Sequence, residues 1–593
     1  MSETDDKYNA QVFNLEAPEP DGVADEQRLA AIKRQLSKLY PRHSSANTAA
    51  KTTSVPMPTI AISFVSDSFP GIPPDNYVAI NRQDSVVSVM NSTIAIHNAL
   101  TGQMVSRKSI ELFSSAVGLN ASADYRFDPK IIYDPEADRY ICIMLNSVNN
   151  YDSTTHVITD INWVVVGFSK SNGPSSGWNF YKFFGDFAND TTFFDYPCIA
   201  ITHNELFITG NKVKDDISWQ TGFKETVIYQ VNKQDGYNGD SILNYQLWDS
   251  ITYNGGYIRN LYPIKGSGSI GGPSQYLVGN RILDAQNDTV FLVKIADTIG
   301  SASTSLTVLP LVSNIPYGVP PNGREPDTAV QLMTNDGRIL GGYFQNNDIQ
   351  FVSTSVDTSS GASGIYHGTI SNYATSPTLT ANLFSIDTLD FGFPNISYTG
   401  IQGSSNQSII SFDYTGPHTA PGYGGIFYDG TNYSPILTIK SGDSSINVLA
   451  GQAQRWGDYS GSQPDWSAIG CVWVDGIYGR TDHNYGNYMA KLVSPYFTGV
   501  PKVSSAQNNS ALLYPNPSWQ FVRLEFTLYK ELVVNFVIYN SQGLMVDKLL
   551  SQYCNEGRNI IQFNVAPLAT GTYFLKAFDN TGTVVSTNTF IRQ

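Results

Sequence analysis

Charge, cysteine and long apolar runs are all scarce in this chain of 593 residues. Charged side chains make up 15% of it, Lys and Arg nowhere cluster, and the net charge is −15. A nucleic-acid partner needs a basic face, so none is expected. The four cysteines, Cys142, Cys198, Cys471 and Cys554, stand far apart with no Cys-x-x-Cys pair. That excludes a zinc ribbon and a dense disulfide framework, and the four are read as buried free thiols. No apolar stretch reaches the ~20 residues that a spanning helix requires, so no transmembrane segment is expected. The seven histidines (His43, His97, His156, His203, His367, His418 and His483) lack ligand spacing. There is no His-Glu-x-x-His string, P-loop or sialidase-like Asp box, which leaves catalysis with little support.

Glycine, serine, threonine, asparagine and tyrosine are abundant, the composition of many strands joined by turns. At this length the expected partition is one large β architecture plus an appended unit. Residues 1–56 are polar and carry one helical pattern, in which Leu29, Ile32, Leu36 and Tyr40 share a face. A short helix packed on something larger is expected there.

From 57 to 495, short β runs alternate with turns. Runs aligned on a proline flanked by Asp or an aromatic residue place Pro74, Pro129, Pro197, Pro263, Pro326 and Pro394 in register, with Asp458 in the seventh place. The spacings fall between 55 and 68 residues. A period of this size in a strand-rich chain points to a propeller, each repeat being one four-stranded blade, and seven blades fit. One repeat reads in full: KIIYD and RYICIML form a hairpin, NWVVVGFSKS is the third strand and WNFYKFF the outer one. The seventh repeat is a strand short, and Thr59–Ser66, which has no repeat of its own, is expected to complete it.

Residues 496–511 are polar and aperiodic, as a linker would be. Six or seven strands follow within 512–593, so a small Ig-like β-sandwich is expected. The fold class is therefore all-β: a short helical extension, a seven-bladed propeller and a C-terminal sandwich.

Two groups are candidate sites. Asp128, Asp195, Asp327 and Asp458 recur at the inner edge of four repeats; they suit either hydrogen bonds to neighbouring backbone or a channel cation such as Ca²⁺. Arg455, Trp456, Asp458, Tyr459 and Trp466 concentrate rings and polar groups near one repeat, the mixture a sugar site uses, although propellers also fill inter-blade space with such residues.

The last 82 residues, Leu512–Gln593, resemble the type A C-terminal sorting domain of proteins exported by the type IX secretion system of Bacteroidota. The resemblance lies in the ordered set YPNP (Tyr514, Pro515, Asn516, Pro517), Gly543, Gly557 with Asn559, and LATGTYFLKA with Leu568, Gly571 and Tyr573. Gly543 and Gly571 are expected at turns with positive φ, and Tyr573 is expected to pack across the sandwich. The residues MSETDDKYNA lack the basic and apolar regions of a signal peptide, which by itself leaves the cytosol open. The resemblance implies instead export across the outer membrane by the type IX machinery, then attachment to surface lipopolysaccharide or release. Three roles are consistent with that reading: an adhesin or glycan-binding surface protein, a self-assembling homo-oligomeric subunit of a filament or surface layer, and a polysaccharide-active enzyme.

Overall fold

The structure is a computed structural model that describes residues 3–4, 22–42, 55–68, 71–119, 125–152, 157–214, 222–400, 406–497, 511–528, 531–541, 544–579 and 584–593. It is all-β, with 57% of residues in strands and 5% in helices. The chain divides into two compact units, Met1–Gly499 and Val500–Gln593.

Among the described residues, the first unit contains seven sheets built on four antiparallel strands, joined in chain order; the first and fifth carry an added parallel strand, Glu3–Thr4 and Lys265–Gly266. Their first strands are Tyr77–Ile80, Tyr125–Asp134, Thr192–Ile201, Tyr262–Pro263, Ile339–Gln345, Asp390–Tyr398 and Gly461–Pro464. Each lies beside the first strand of the next sheet, and Gly461–Pro464 lies beside Tyr77–Ile80. These strands are covered from both sides: every residue of Tyr77–Ile80 and of Asp390–Tyr398 is buried. Outer strands alternate instead, as in Ser305–Tyr317, which has one face in solvent. The repeat read in full from sequence is present as Tyr125–Asp134, Arg139–Asp152, Val157–Ser169 and Trp178–Phe184. Packing between sheets is close: a Cβ on Gly476 would stand 2.0 Å from the Tyr423 ring.

The seventh sheet takes its fourth strand from the start of the chain. Thr59–Asp67 pairs antiparallel with Tyr485–Val493, from Thr59 opposite Val493 to Asp67 opposite Asn487. The proline register fails at one point. Pro326 lies in the turn between Gly323–Arg324 and Gln331–Met333 of a separate three-stranded sheet completed by Ala453–Arg455, while the antiparallel strands of the fifth sheet begin at Ile339.

The N-terminal helix spans Gly22–Leu39, longer than the short helix expected. Leu29 and Leu36 are buried against Val319, flanked by Ile32, Tyr40, Leu283 and Ala285. Lys33 on this helix donates to Asn322 Oδ1 at 2.7 Å and Thr334 Oγ1 at 2.9 Å. Arg42 and Arg324 share the buried Asp390 carboxylate.

The second unit has a three-stranded sheet (Leu512–Tyr514, Phe521–Leu528, Gly557–Asn564) and a four-stranded one (Met545–Cys554, Leu532–Asn540, Gly571–Asp579, Val584–Arg592). In Phe521–Leu528 alternate residues are buried, so Val522, Leu524, Phe526 and Leu528 meet Val534, Phe536 and Ile538 of the other sheet in one core. Phe536 contacts both Phe526 and Phe563, with ring centroids 5.9 and 5.4 Å away. All four cysteines of the chain are free and buried, as their spacing predicts.

Candidate functional site

Polar side chains converge where the first strands of the sheets meet. Backbone geometry sets them there. Asp75, Asp128, Tyr196 and Phe393 all adopt left-handed φ, between 47° and 54°. At three of them the ladder register slips, between Phe127 and Lys130, Asp195 and Cys198, and Gly392 and Asn395. Such bulges bend the strand and re-aim its side chains. Asp tolerates the left-handed region through local hydrogen bonds, whereas Tyr196 and Phe393 must be held in it by packing.

The result is a cluster of carboxylates. Asp75, Asp128 and Asp458 each offer an oxygen within 4.8 Å of the others. Asp458 donates its backbone N–H to Asp75 Oδ1 at 2.7 Å, and Asn91 donates to Asp75 Oδ2 at 2.7 Å. Arg455 donates to Asp458 Oδ2 at 2.9 Å, and Asn335 to Asp458 Oδ1. Burial, followed by repulsion from the neighbouring carboxylates, holds the Asp75 and Asp128 carboxyls well above the usual range. Asp195 is pushed up to about 6 by burial, with Arg338 opposing.

Next to the carboxylates lies a tyrosine-lined set of lysines. Lys130 Nζ stands 3.3 Å from the centroid of the Tyr459 ring, with the Tyr77 and Tyr196 rings at 5.1 and 5.3 Å. Burial pulls its ammonium below the ordinary lysine value. Lys265 donates to Tyr77 Oη and is drawn down to about 7, first by burial and then by Lys130. Burial also raises the Cys198 thiol, so it is a poor nucleophile as it stands. Arg338 is held in a bidentate pair by Asp336, at 2.8 and 2.7 Å, with its guanidinium 4.2 Å from the Tyr196 ring.

Of the four aspartates singled out from sequence, the structure brings Asp128 and Asp458 together and sets Asp195 close enough to act electrostatically on the cluster. Asp327 is elsewhere. It is exposed, on a turn where its Oδ1 accepts from Ala329 N at 3.0 Å, because the proline register that chose it fails in that stretch. Asp75 was missed. It precedes Tyr77 by two residues, as Asp128 precedes Lys130, a match visible when the repeats are aligned on the strand rather than on the proline.

The expected sugar platform does not form at 455–466. Trp456 is 0% exposed, its ring against Phe393 and below Gly392, and Arg455 and Tyr459 are buried too. A fully buried ring has no face to offer a sugar. Trp466 is partly buried against the main core. The string Gly173-Pro-Ser-Ser-Gly177 has the spacing of a nucleophile elbow, but it forms the turn between Val157–Ser169 and Trp178–Phe184, with no helix after it.

Exposed rings occur instead on the outer strands. Phe184 packs against Trp163, tilted by 55° with ring centroids 5.3 Å apart, and the Lys182 ammonium stands 4.6 Å from the centroid of the Trp163 ring. On the opposite face of the same strand, Phe183 contacts Tyr229 and Tyr245 of the third sheet at 5.0 and 5.1 Å. Phe184 and Tyr245 are both exposed.

In the second unit the expected signal residues have structural work. The Asn516 amide donates to Thr589 O at 2.9 Å while its oxygen accepts from Ile591 N at 2.9 Å, which fastens the Tyr514–Pro517 stretch to the last strand. Tyr514 donates to Glu525, which also accepts two bonds from Arg558. Asn559 closes its turn by donating to Asn555 O and Gly557 O, and Gly557 has φ +91°. Gly571 departs from expectation. It is the first residue of an extended ladder opposite Arg592 and is not among the positive-φ positions, whereas Gly557 is. Tyr573 stacks on its cross-strand neighbour Phe590 at 5.5 Å and donates to Ala569 O. Gly543 lies outside the described residues.

Residues 512–591 match the secretion system C-terminal sorting domain family. The chain is thus a type IX secretion substrate, exported to the cell surface or extracellular space. No described helix is long and apolar enough to cross a membrane.

No curated protein matches the chain in sequence. Among solved structures it is similar to PorZ of Porphyromonas gingivalis, a bacterial surface component of the type IX secretion system (10% identity, covering 87% of this chain and 70% of that one, TM-score 0.26). It is also similar to a fungal alcohol oxidase of the AA5 family (12% identity, 91% and 98% covered, TM-score 0.34) and to Trypanosoma rangeli sialidase (9% identity, 78% and 86% covered, TM-score 0.32). At such scores none of the three bears on what this chain does.

Proposed function

We propose that residues 57–495 form a seven-bladed β-propeller which, once exported with the help of an Ig-like sorting sandwich at 512–593, acts at the cell surface as an adhesin that binds a glycan or protein partner. The propeller reading is supported by the succession of seven sheets with four antiparallel strands at their heart, by the first strands lying side by side back to Tyr77–Ile80, and by Thr59–Asp67 joining the seventh sheet.

The observation that carries the binding role is the exposure of two rings on outer strands: Phe184, which shares the face of Trp163 and Lys182, and Tyr245 of the third sheet, which packs on Phe183. Rings held rigidly by Trp163 and Phe183 lose little entropy on contact and present both an apolar face and a nearby charge. The test is a glycan array and a lipopolysaccharide binding assay on the full chain, with the F184A/Y245A double variant as control. Binding by the wild type and a loss of tenfold or more in the variant, with unchanged circular dichroism, is the expected result. Equal binding by both proteins overturns the site. No binding, together with filaments in negative stain, would favour a self-assembling surface subunit instead.

A further inference from the structure

We propose that Asp75, Asp128 and Asp458 together bind one calcium ion at the meeting point of the first strands. Their oxygens lie within 4.8 Å of one another. A point between three oxygens 4.8 Å apart lies at most ~2.8 Å from each, so a closure of a few tenths of an ångström brings all three to the ~2.4 Å Ca–O distance of a single ion. The donors are all carboxylate oxygens, which suits a hard cation, and calcium accepts the irregular geometry better than magnesium does.

Asp128 points to a ligand independently of the other two. Asp75 and Asp458 are tied by hydrogen bonds to Asn91, Asn335, Arg455 and each other. Asp128 is only 6% exposed, yet no hydrogen bond or ion pair to its carboxylate occurs among the described residues. Its one bond is made by its backbone N–H, which donates to Asn91 Oδ1 at 2.7 Å. A carboxyl with so little access to water and no hydrogen-bond donor is costly to hold ionised, and the only counter-charge acting on it among the described residues is Lys130. The nearest ammonium, Lys130, is held over the Tyr459 ring and forms no ion pair with the cluster among the described residues. An ion seated among the three oxygens supplies the missing partner, and the 18% exposed side chain of Asp458 gives it a path from solvent.

The experiment uses the full chain stripped with EGTA and titrated with CaCl₂ by calorimetry, then with Tb³⁺, whose luminescence nearby Tyr459 would sensitise. One ion per chain and a higher melting temperature in calcium are expected, with at least a tenfold loss of affinity in D128N and in D75N. Two variants are used so that one misfolded protein does not decide the outcome. The proposal is overturned if the wild type binds no calcium, or if a folded D128N or D75N binds it unchanged. A wild type that binds nothing while D128N melts higher at neutral pH would show instead that the cluster shares protons.

Discussion

The backbone N–H of Asp458 donates to the carboxylate of Asp75 at 2.7 Å, although 383 residues of chain separate them. Gln463 makes a second link of the same kind, donating to Ile80 O at 3.0 Å and accepting from Ile80 N. The end of the first unit is thereby fixed to its beginning through specific polar contacts, and its stability depends on both ends.

The strand pairing of Thr59–Asp67 is testable by proline replacement. Successive residues of this edge strand turn their N–H groups alternately towards Tyr485–Val493 and away from it. Of S63P and F64P, the one that removes a ladder donor should lose ~3 kcal/mol or more of stability, and its neighbour clearly less. Calorimetric melts of both variants would show it. Equal, negligible shifts would mean that the pairing contributes nothing.

Lys33 should make stability depend on pH. Burial pulls its ammonium from 10.5 down to about 7, against the pull of Asp336. Its folded-state pKa is thus below the unfolded one, so between about pH 7 and 10 the unfolded chain binds the extra proton, and stability rises with pH across that window. In K33M this contribution disappears. Denaturant unfolding at pH 7 and pH 9.5 should give a larger gain for the wild type than for K33M; parallel gains would contradict a depressed Lys33.

In the sorting unit, the two glycines should respond differently. Gly557 sits at φ +91°, which a β-branched residue adopts only with strain, while a Cβ on Gly571 meets nothing nearer than Tyr573 at 3.9 Å. G557V is expected to lower the melting temperature of this unit and the amount of chain exported, and G571V to leave both nearly unchanged. N516A, which removes both bonds to the last strand, should cost ~1–3 kcal/mol. Surface immunoblots and melts of the full-length variants would measure these effects.

The four thiols should be silent in the native protein. Burial raises Cys471 to about 11 and pushes Cys142, Cys198 and Cys554 upward as well. Iodoacetamide at pH 8 is expected to modify none of them until denaturant is added, when all four react. Fast labelling of the native chain, read by mass spectrometry, would show that one of them is reachable.

Much of the architecture was legible because burial on both faces writes apolar runs and exposure on one face writes alternation; KIIYD and RYICIML announce themselves in this way. The helix face of Leu29, Ile32, Leu36 and Tyr40 was equally plain. The site was harder to read. Its residues are placed by left-handed backbone at Asp75, Asp128, Tyr196 and Phe393, positions of such mixed chemistry that no single residue type marks the repeat. Trp456 looked like a ligand platform because burial, not composition, decides whether a ring is available. Gly571 looked like a turn because it follows one, when the extended ladder already begins there.

The strand Thr59–Asp67 also has a consequence in time. It is synthesised before every other strand of its sheet, and its partner Tyr485–Val493 is made more than 400 residues later. The seventh sheet can therefore be completed only after nearly all of the first unit exists, and closing so long a loop carries an entropic cost that slows folding. Until then the early strand keeps an unpaired edge, a hazard for a protein rich in strands. A unit whose last sheet waits for residues 485–493 therefore stays incomplete until all of its other sheets have been made.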